Sequence, residues 1–314
     1  MLVRRTVLGV LTLWLVSVLV FIATNALPGD AARSILGRNA TPESLAALRA
    51  ELNLDRSLPE QYTSWLSGVV RADLGQSLAD GEPVTDLLSS RLSNSAFLVA
   101  VAAALSIPLS IGIGIWSAMR RDSWLDHVMS TANLGLAAVP EFVVGTAAVV
   151  LFGTVVFQVL PPVSLIPPGE PAWRHLPEVW LPALTLVLAV VPYISRIMRG
   201  SMIEVLESDY VEMARLKGLP ERDVILWHAL PNAIVPAIQV IALQLSYMAG
   251  GIVVVEFVFG FPGIGGALVQ AVSHRDLPVL QAVVLVIAGV YVVVNLIADV
   301  LTILASPRLR TALR

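Results

Sequence analysis

Between Tyr210 and Asn232 lies a dense polar island in an otherwise apolar chain. It reads Tyr210-Val211-Glu212-Met213-Ala214-Arg215-Leu216-Lys217-Gly218-Leu219-Pro220, followed by His228-Ala229-Leu230-Pro231-Asn232. These charges do not assemble a reaction centre. The glycine-rich run from Gly260 to Gly266 lacks a Gly-Lys-Ser/Thr ending, and Lys217 is the only lysine, so the run reads as a turn or short re-entrant break. No His-Glu-x-x-His or Gly-x-Ser-x-Gly occurs, which leaves an intramembrane hydrolase without support. His127, His175, His228 and His274 lack ligand spacing, and no metal site is expected. The chemistry open to the island is recognition and leverage.

Its pattern predicts helix, turn and helix. Ser208 or Asp209 is positioned to cap a helix carrying Tyr210, Glu212, Met213, Ala214 and Leu216. Gly218 fits a left-handed stop. Pro220, with Glu221 and Asp223 near the positive helix end, starts a second short helix that would expose Val224, Ile225, Leu226 and Trp227. Pro231 ends it. Two readings stand: a lever held out of the bilayer, or an interfacial helix resting on lipid headgroups.

The elements around the island are membrane spans. The 314 residues are 56% hydrophobic and 14% charged, against about 25% charged in soluble domains. Six spans of bilayer length are predicted, near Val7–Ala26, Ser95–Met119, Val128–Val159, Trp180–Ile197, Ala233–Phe259 and Val279–Ala305. The first, with Arg4 and Arg5 before it, is long for a signal segment and reads as an uncleaved anchor. Pro140, Pro182 and Pro192 fall inside spans and bend helices. Cysteine is absent, so no disulfide or thiolate site exists. The net charge of -3 gives no reason to expect a nucleic-acid partner.

Arginine placement orients the chain. With both termini cytoplasmic, Arg4, Arg5, Arg120, Arg121, Arg196, Arg199, Arg215, Lys217, Arg222, Arg308, Arg310 and Arg314 lie inside, and the short outer loops hold only Arg174 and Arg275. The domain division is then 1–27, a transmembrane helix; 28–94, an extracytoplasmic, mainly helical insert; 95–305, a five-helix core with the cytoplasmic loop 200–232; and 306–314, a cytoplasmic tail. In the insert, Thr41-Pro42-Glu43-Ser44 opens a helix well. It either shields the outer mouth or receives a substrate-delivering partner.

Charges within spans need partners or a cavity. Glu141, beside Pro140, is a candidate pathway or helix-end position. Glu256 is a candidate outer gate or a partner of Arg275. Phe259 and Asp276 belong to the same outer region. Asn295 and Asp299, one helical turn apart, are expected to knit helices together.

Tyr210, Glu212, Ala214, Arg215, Lys217, Gly218, His228, Leu230 and Asn232 resemble the EAA-type signature of binding-protein-dependent ABC importer permeases, and Arg196, Arg199 and Ser201 resemble the run preceding it. Arg71-Ala72-Asp73-Leu74-Gly75-Gln76-Ser77 with Pro83-Val84 is similar to the external region of the oligopeptide/dipeptide permease subfamily. Gly250-Gly251, Glu256, Phe259, Pro262-Gly263-Ile264-Gly265 and Arg275-Asp276 resemble that subfamily's region around the outer end of span five, and Asn295 and Asp299 resemble its last span. Ser306-Pro307-Arg308 departs from the Asp-Pro-Arg usual there. The resemblance covers nearly the whole chain. It implies an all-α type I importer permease fold in a bacterial inner membrane. It also implies a second homologous permease, two ABC ATPase subunits and an extracytoplasmic binding protein. This chain would bind no cofactor; ATP and Mg would sit on the ATPases. Glu212, Ala214 and Gly218 would shape the coupling loop, while the segment Glu221 to His228, including Arg222, Asp223 and Trp227, would contact the ATPase groove. Peptides are the default substrate; nickel chelates, sugars or other small solutes are the alternatives. A self-sufficient secondary transporter or channel is the competing class, but it calls for an internal repeat and a coupling-ion site that the sequence does not display.

Overall fold

The computed structural model describes residues 2–26, 41–51 and 55–305. The tail 306–314, with Ser306-Pro307-Arg308, Arg310 and Arg314, and the start of the insert lie outside the described residues. Helix α1 (Leu2–Asn25) is followed by α2 (Pro42–Glu51) and α3 (Leu58–Val70) of the insert. The long α4 (Val84–Met119) leads to α5 (Trp124–Ala138) and α6 (Glu141–Ala148), the latter ending in a π turn, Val149–Thr154. After α7 (Leu176–Leu206) come α8 (Asp209–Leu216), α9 (Glu221–Asp223) and a second π turn, Val224–Ala229. The chain closes with α10 (Leu230–Phe259), α11 (Ile264–His274) and α12 (Leu277–Ala305).

Five of these helices are long and apolar enough to cross a membrane, and two bent pairs pass the same test jointly. The third predicted span, 128–159, is one such pair rather than a straight helix. Its halves α5 and α6 meet at 104°. The cause is Pro140: its ring disfavours helical geometry at the preceding residue, and Val139 is extended at φ -91, ψ 127. The second pair joins the end of α10 to α11 at 80°, turning at Gly260 with φ +60. The predicted insert boundary at residue 94 falls inside α4, whose first three turns stand before it.

Helix α7 is the hub. It packs most extensively on α4, then on α10. Leu98 and Ala102 of α4, Leu181, Leu186, Val190 and Ile194 of α7, and Met248, Ile252 and Phe259 of α10 form its main buried cluster. Pro182 does not break α7. It leaves the Glu178 carbonyl without its helical donor, and the Ser164 hydroxyl supplies one at 2.8 Å. Helix α1 is peripheral, leaning on α12, with apolar side chains such as Val7, Leu11 and Leu19 facing outward. Polar bonds fix it. Thr24 Oγ1 accepts from Gln281 Nε2 at 2.8 Å, and Arg5 pairs with Asp299 at 3.4 Å. Asn295 Nδ2 donates to Ser246 Oγ of α10 at 3.1 Å. The insert is clamped to α1 by Ser17 Oγ and Tyr62 Oη, 2.8 Å apart, and by the rings of Phe21, Tyr62 and Trp65.

Candidate coupling loop and outer closure

At the end of α7 the chain turns at Ser208, whose backbone is extended (φ -78, ψ 146). Its hydroxyl donates back to the Val205 carbonyl at 2.5 Å, so it closes α7 and does not cap α8. Val211 and Ala214 then point inward onto Met198, Met202, Val224, Ile225, Ala229 and Ala233. The sequence predicts a second helix exposing all of Val224 to Trp227. The structure instead buries Val224 and Ile225 and leaves Leu226 and Trp227 outside. The backbone there widens into a π turn just ahead of Pro231, which has no N–H to continue a regular ladder.

Between the two short helices Gly218 adopts φ +79, and no atom lies within 4 Å of the point where a Cβ would stand. The turn faces open space. Arg215 bridges it, with Nη2 and Nε donating to the two Glu221 oxygens at 2.8 and 3.2 Å and Nη1 to the Leu206 carbonyl at 3.3 Å. The bond to Glu221 holds the Arg215 guanidinium above its usual range, chiefly as a donor to a carboxylate. Glu212, Lys217 and Arg222 are exposed. His228 Nδ1 lies 3.3 Å from the Asp223 carbonyl, and Asn232 Nδ2 donates to the His228 carbonyl at 3.1 Å. The loop therefore has a packed inner face and an outer face of Tyr210, Met213, Leu216 and Trp227, the last 75% exposed. Large exposed apolar side chains rimmed by charge mark an interaction surface.

Sequence reasoning missed Asp126. It is 2% exposed, and Arg199 of α7 binds it with two donors, Nε at 2.8 Å and Nη2 at 2.5 Å. Ser117 Oγ and the Asp122 N–H also donate to it, at 2.5 and 3.1 Å. The available signal was Ser123-x-x-Asp126 at the start of α5, where Ser123 Oγ accepts the Asp126 N–H. Arg121 pairs with Glu207 beside the coupling loop. The turn between α4 and α5 is thus tied to the helix that leads into the loop.

At the opposite end, Glu256 is completely buried. Its partners are not Arg275 but Ser95 Oγ at 2.5 Å and the Gly265 N–H at 2.6 Å. Ser95 Oγ also accepts the Ile264 N–H at 2.9 Å. A carboxylate on α10 and a hydroxyl on α4 together hold the N-terminus of α11, where donors are unpaired and the helix dipole is positive. Asn94 ties in two more segments, accepting from the Ala172 N–H at 2.8 Å and donating to the Pro262 carbonyl at 3.2 Å. Asp276 accepts from Ser77 Oγ at 2.5 Å and caps α12 through the Val279 N–H at 3.4 Å. Arg275 is left-handed at φ +57 and ends α11. Phe259 is buried against Gly145. Among the described residues no cluster of His, Asp or Glu could hold a metal.

The closure depends on absent side chains. A Cβ at Gly263 would overlap the Glu256 carboxylate, and one at Gly265 would overlap the Val253 backbone. At Gly266 the nearest atom would be 3.5 Å away. Gly265→Ala is expected to lower stability by about 1–3 kcal/mol through overpacking, and Gly266→Ala to be nearly neutral. Melting of the two detergent-purified variants checks the difference.

Among the described residues the chain is an all-helical bundle with apolar side chains facing outward and a charged helical hairpin at one end, the architecture of a multi-pass membrane protein. The chain belongs to the family of binding-protein-dependent transport system inner membrane components. The family model matches residues 110–311, and the model of its N-terminal part matches residues 1–99. It is similar to a probable peptide ABC transporter permease protein of Sinorhizobium fredii, 37% identical over 309 residues, 98% of each chain. It is also similar to a putative peptide transport system permease protein of Brucella abortus, 37% identical over 99% of this chain and 98% of that one. A glutathione transport system permease protein of Escherichia coli is 36% identical over 98% of each. The chain is an ABC importer permease, a multi-pass transport component of the bacterial inner membrane.

Proposed function

We propose that this permease carries peptides and is driven through the loop at 208–232 by ABC ATPase subunits that are separate chains. Each ATPase would receive one such loop, one from this chain and one from a second, homologous permease. ATP and Mg would be bound there, and an extracytoplasmic binding protein would deliver substrate at the closure around Glu256 and Asp276. Six spans with both termini cytoplasmic would put the loop on the ATPase side, and the arginine distribution supports that orientation. The names of the relatives support the substrate class: two are peptide permeases and one is a glutathione permease.

The observation that carries the reading is the two-faced loop. Its inner face is buried in the bundle, so force on the loop reaches α7 and α10 directly. Its outer face offers Tyr210, Met213, Leu216 and Trp227 without disturbing that packing. Purification of the tagged protein from native membranes in mild detergent tests it. Recovery of a second permease and P-loop ATPases is the expected result. Recovery of this chain alone, with no associated ATPase activity, would favour an independent carrier or channel.

A further inference from the structure

The bend between α5 and α6 places a carboxylate where nothing in this chain neutralises it. Glu141 follows Pro140 and is half-buried, yet it makes no hydrogen bond and no ion pair among the described residues. Its carboxylate lies against the backbone of α10 at Gly251, where a Cβ would come within 2.9 Å of Oε2. Two cavities, of about 550 and 520 Å³, open on either side and share Glu141, Tyr247 and Tyr291 in their walls. Neither wall includes a lysine, arginine or histidine. The Tyr247 and Tyr291 hydroxyls have no hydrogen-bond partner among the described residues. A third cavity, of about 270 Å³, shares Ala137 and Tyr193 with the second and is lined by Arg196 and Arg199 at the coupling-loop end. The neighbouring cavities thus run from the lone anion Glu141 to Arg196 and to Arg199, whose charge Asp126 already meets.

An ionisable group at membrane depth persists where it faces a cavity or meets a counter-charge. Here the cavity is present and the counter-charge is not. Resting on the peptide reading above, we propose that Glu141, flanked by Tyr247 and Tyr291, is a binding site in the translocation path for the protonated α-amino group of a passing peptide. The ammonium donates to the carboxylate in a charge-assisted bond, and the tyrosine rings offer π faces and hydroxyl acceptors to the same cation. The absence of a side chain at Gly251 leaves room on α10 for the Glu141 carboxylate itself. A bond of this kind holds about tenfold, enough to orient a substrate and weak enough to release it.

The test uses the complete transporter in nanodiscs, with L-trialanine and N-acetyl-L-trialanine as probes. Saturation-transfer NMR without binding protein reads the weak site directly, and ATP-driven uptake into proteoliposomes with binding protein reads transport. Trialanine is expected to bind Glu141→Gln about tenfold more weakly than wild type, with Glu141→Asp intermediate, while the acetylated probe binds both alike. Equal trialanine affinity in wild type and Glu141→Gln would overturn the site. So would an equal loss for both probes, or a loss of the second permease from the purified Glu141→Gln complex, since either assigns Glu141 to structure or subunit contact. Failure of wild type to take up trialanine at all would instead remove the peptide reading on which the site rests.

Discussion

Gly218→Val is expected to abolish coupled uptake, at least tenfold below wild type, while the protein still inserts in the membrane. Gly218 sits at φ +79, where an ordinary side chain costs roughly 1–2 kcal/mol and a β-branched one is a genuine outlier. No neighbour would clash, so the strain is conformational and local. The turn's own backbone is held by few bonds, the Gly218 N–H to the Arg215 carbonyl at 2.9 Å and the Leu219 N–H to the Ala214 carbonyl at 3.4 Å, with the exposed Arg215–Glu221 pair bridging it. Relief of strain therefore moves α8 against α9 and leaves the bundle intact. Asparagine tolerates the left-handed region, so Gly218→Asn is expected to keep most of the uptake. Uptake and ATP hydrolysis measured on the same proteoliposomes separate the two effects. Wild-type uptake by the valine variant would show that the geometry of this turn is not used.

Asp126→Ala is expected to be the most destabilising single replacement at the coupling-loop end of the bundle. It leaves the Arg199 guanidinium beside the membrane without its carboxylate, and removes the acceptor for Ser117 Oγ and the Asp122 N–H. Breaking a buried pair from one side costs about 3–5 kcal/mol, because the remaining charge is left uncompensated. Removing both charges is cheaper, so Asp126→Ala with Arg199→Met is expected to recover part of the loss. A double-mutant cycle on thermal unfolding in detergent should give a coupling of about 2 kcal/mol or more. Additive effects would mean that the pair contributes nothing beyond its separate side chains. Because α7 runs straight from Arg199 to Leu206, the same variant is expected to lower coupling even where folded protein is recovered.

What the sequence disclosed and what it hid divide by range. Apolar runs announced α4, α7, α10 and α12, because span length is fixed by bilayer thickness and needs no partner to be recognised. The left-handed turn at Gly218 and the break at Gly260 were equally local, set by a residue without Cβ. Pro140 was visible too, but a proline inside an apolar run does not say whether the helix bends slightly or turns through 104°. That depends on how α5 and α6 pack on α7. The polar locks were illegible for a stronger reason. Ser95 and Glu256 lie 161 residues apart, Ser77 and Asp276 199 apart, and Asp126 and Arg199 73 apart. A serine in a membrane span carries no signal until a carboxylate is placed opposite it. Val224 and Ile225 read as exposed in the sequence because they follow a charged helix start. Their burial comes from Met198, Met202 and Ala233, on helices before and after the loop.

If the 208–232 loop transmits the motion of an ATPase, its outer face must be gripped by that subunit. The chain has no cysteine, so a single introduced thiol is a unique address. The most direct measurement uses Trp227→Cys, at the most exposed large side chain of the π turn, with a short photoactivatable crosslinker attached to the new thiol in native membranes. A covalent adduct with an ABC ATPase subunit is the expected result. None is expected from Leu165→Cys, at a side chain exposed before the start of α7 at the opposite end. Crosslinking from position 227 to lipid alone, with ATPase present and active in the same complex, would contradict the coupling role and return the segment to an interfacial helix.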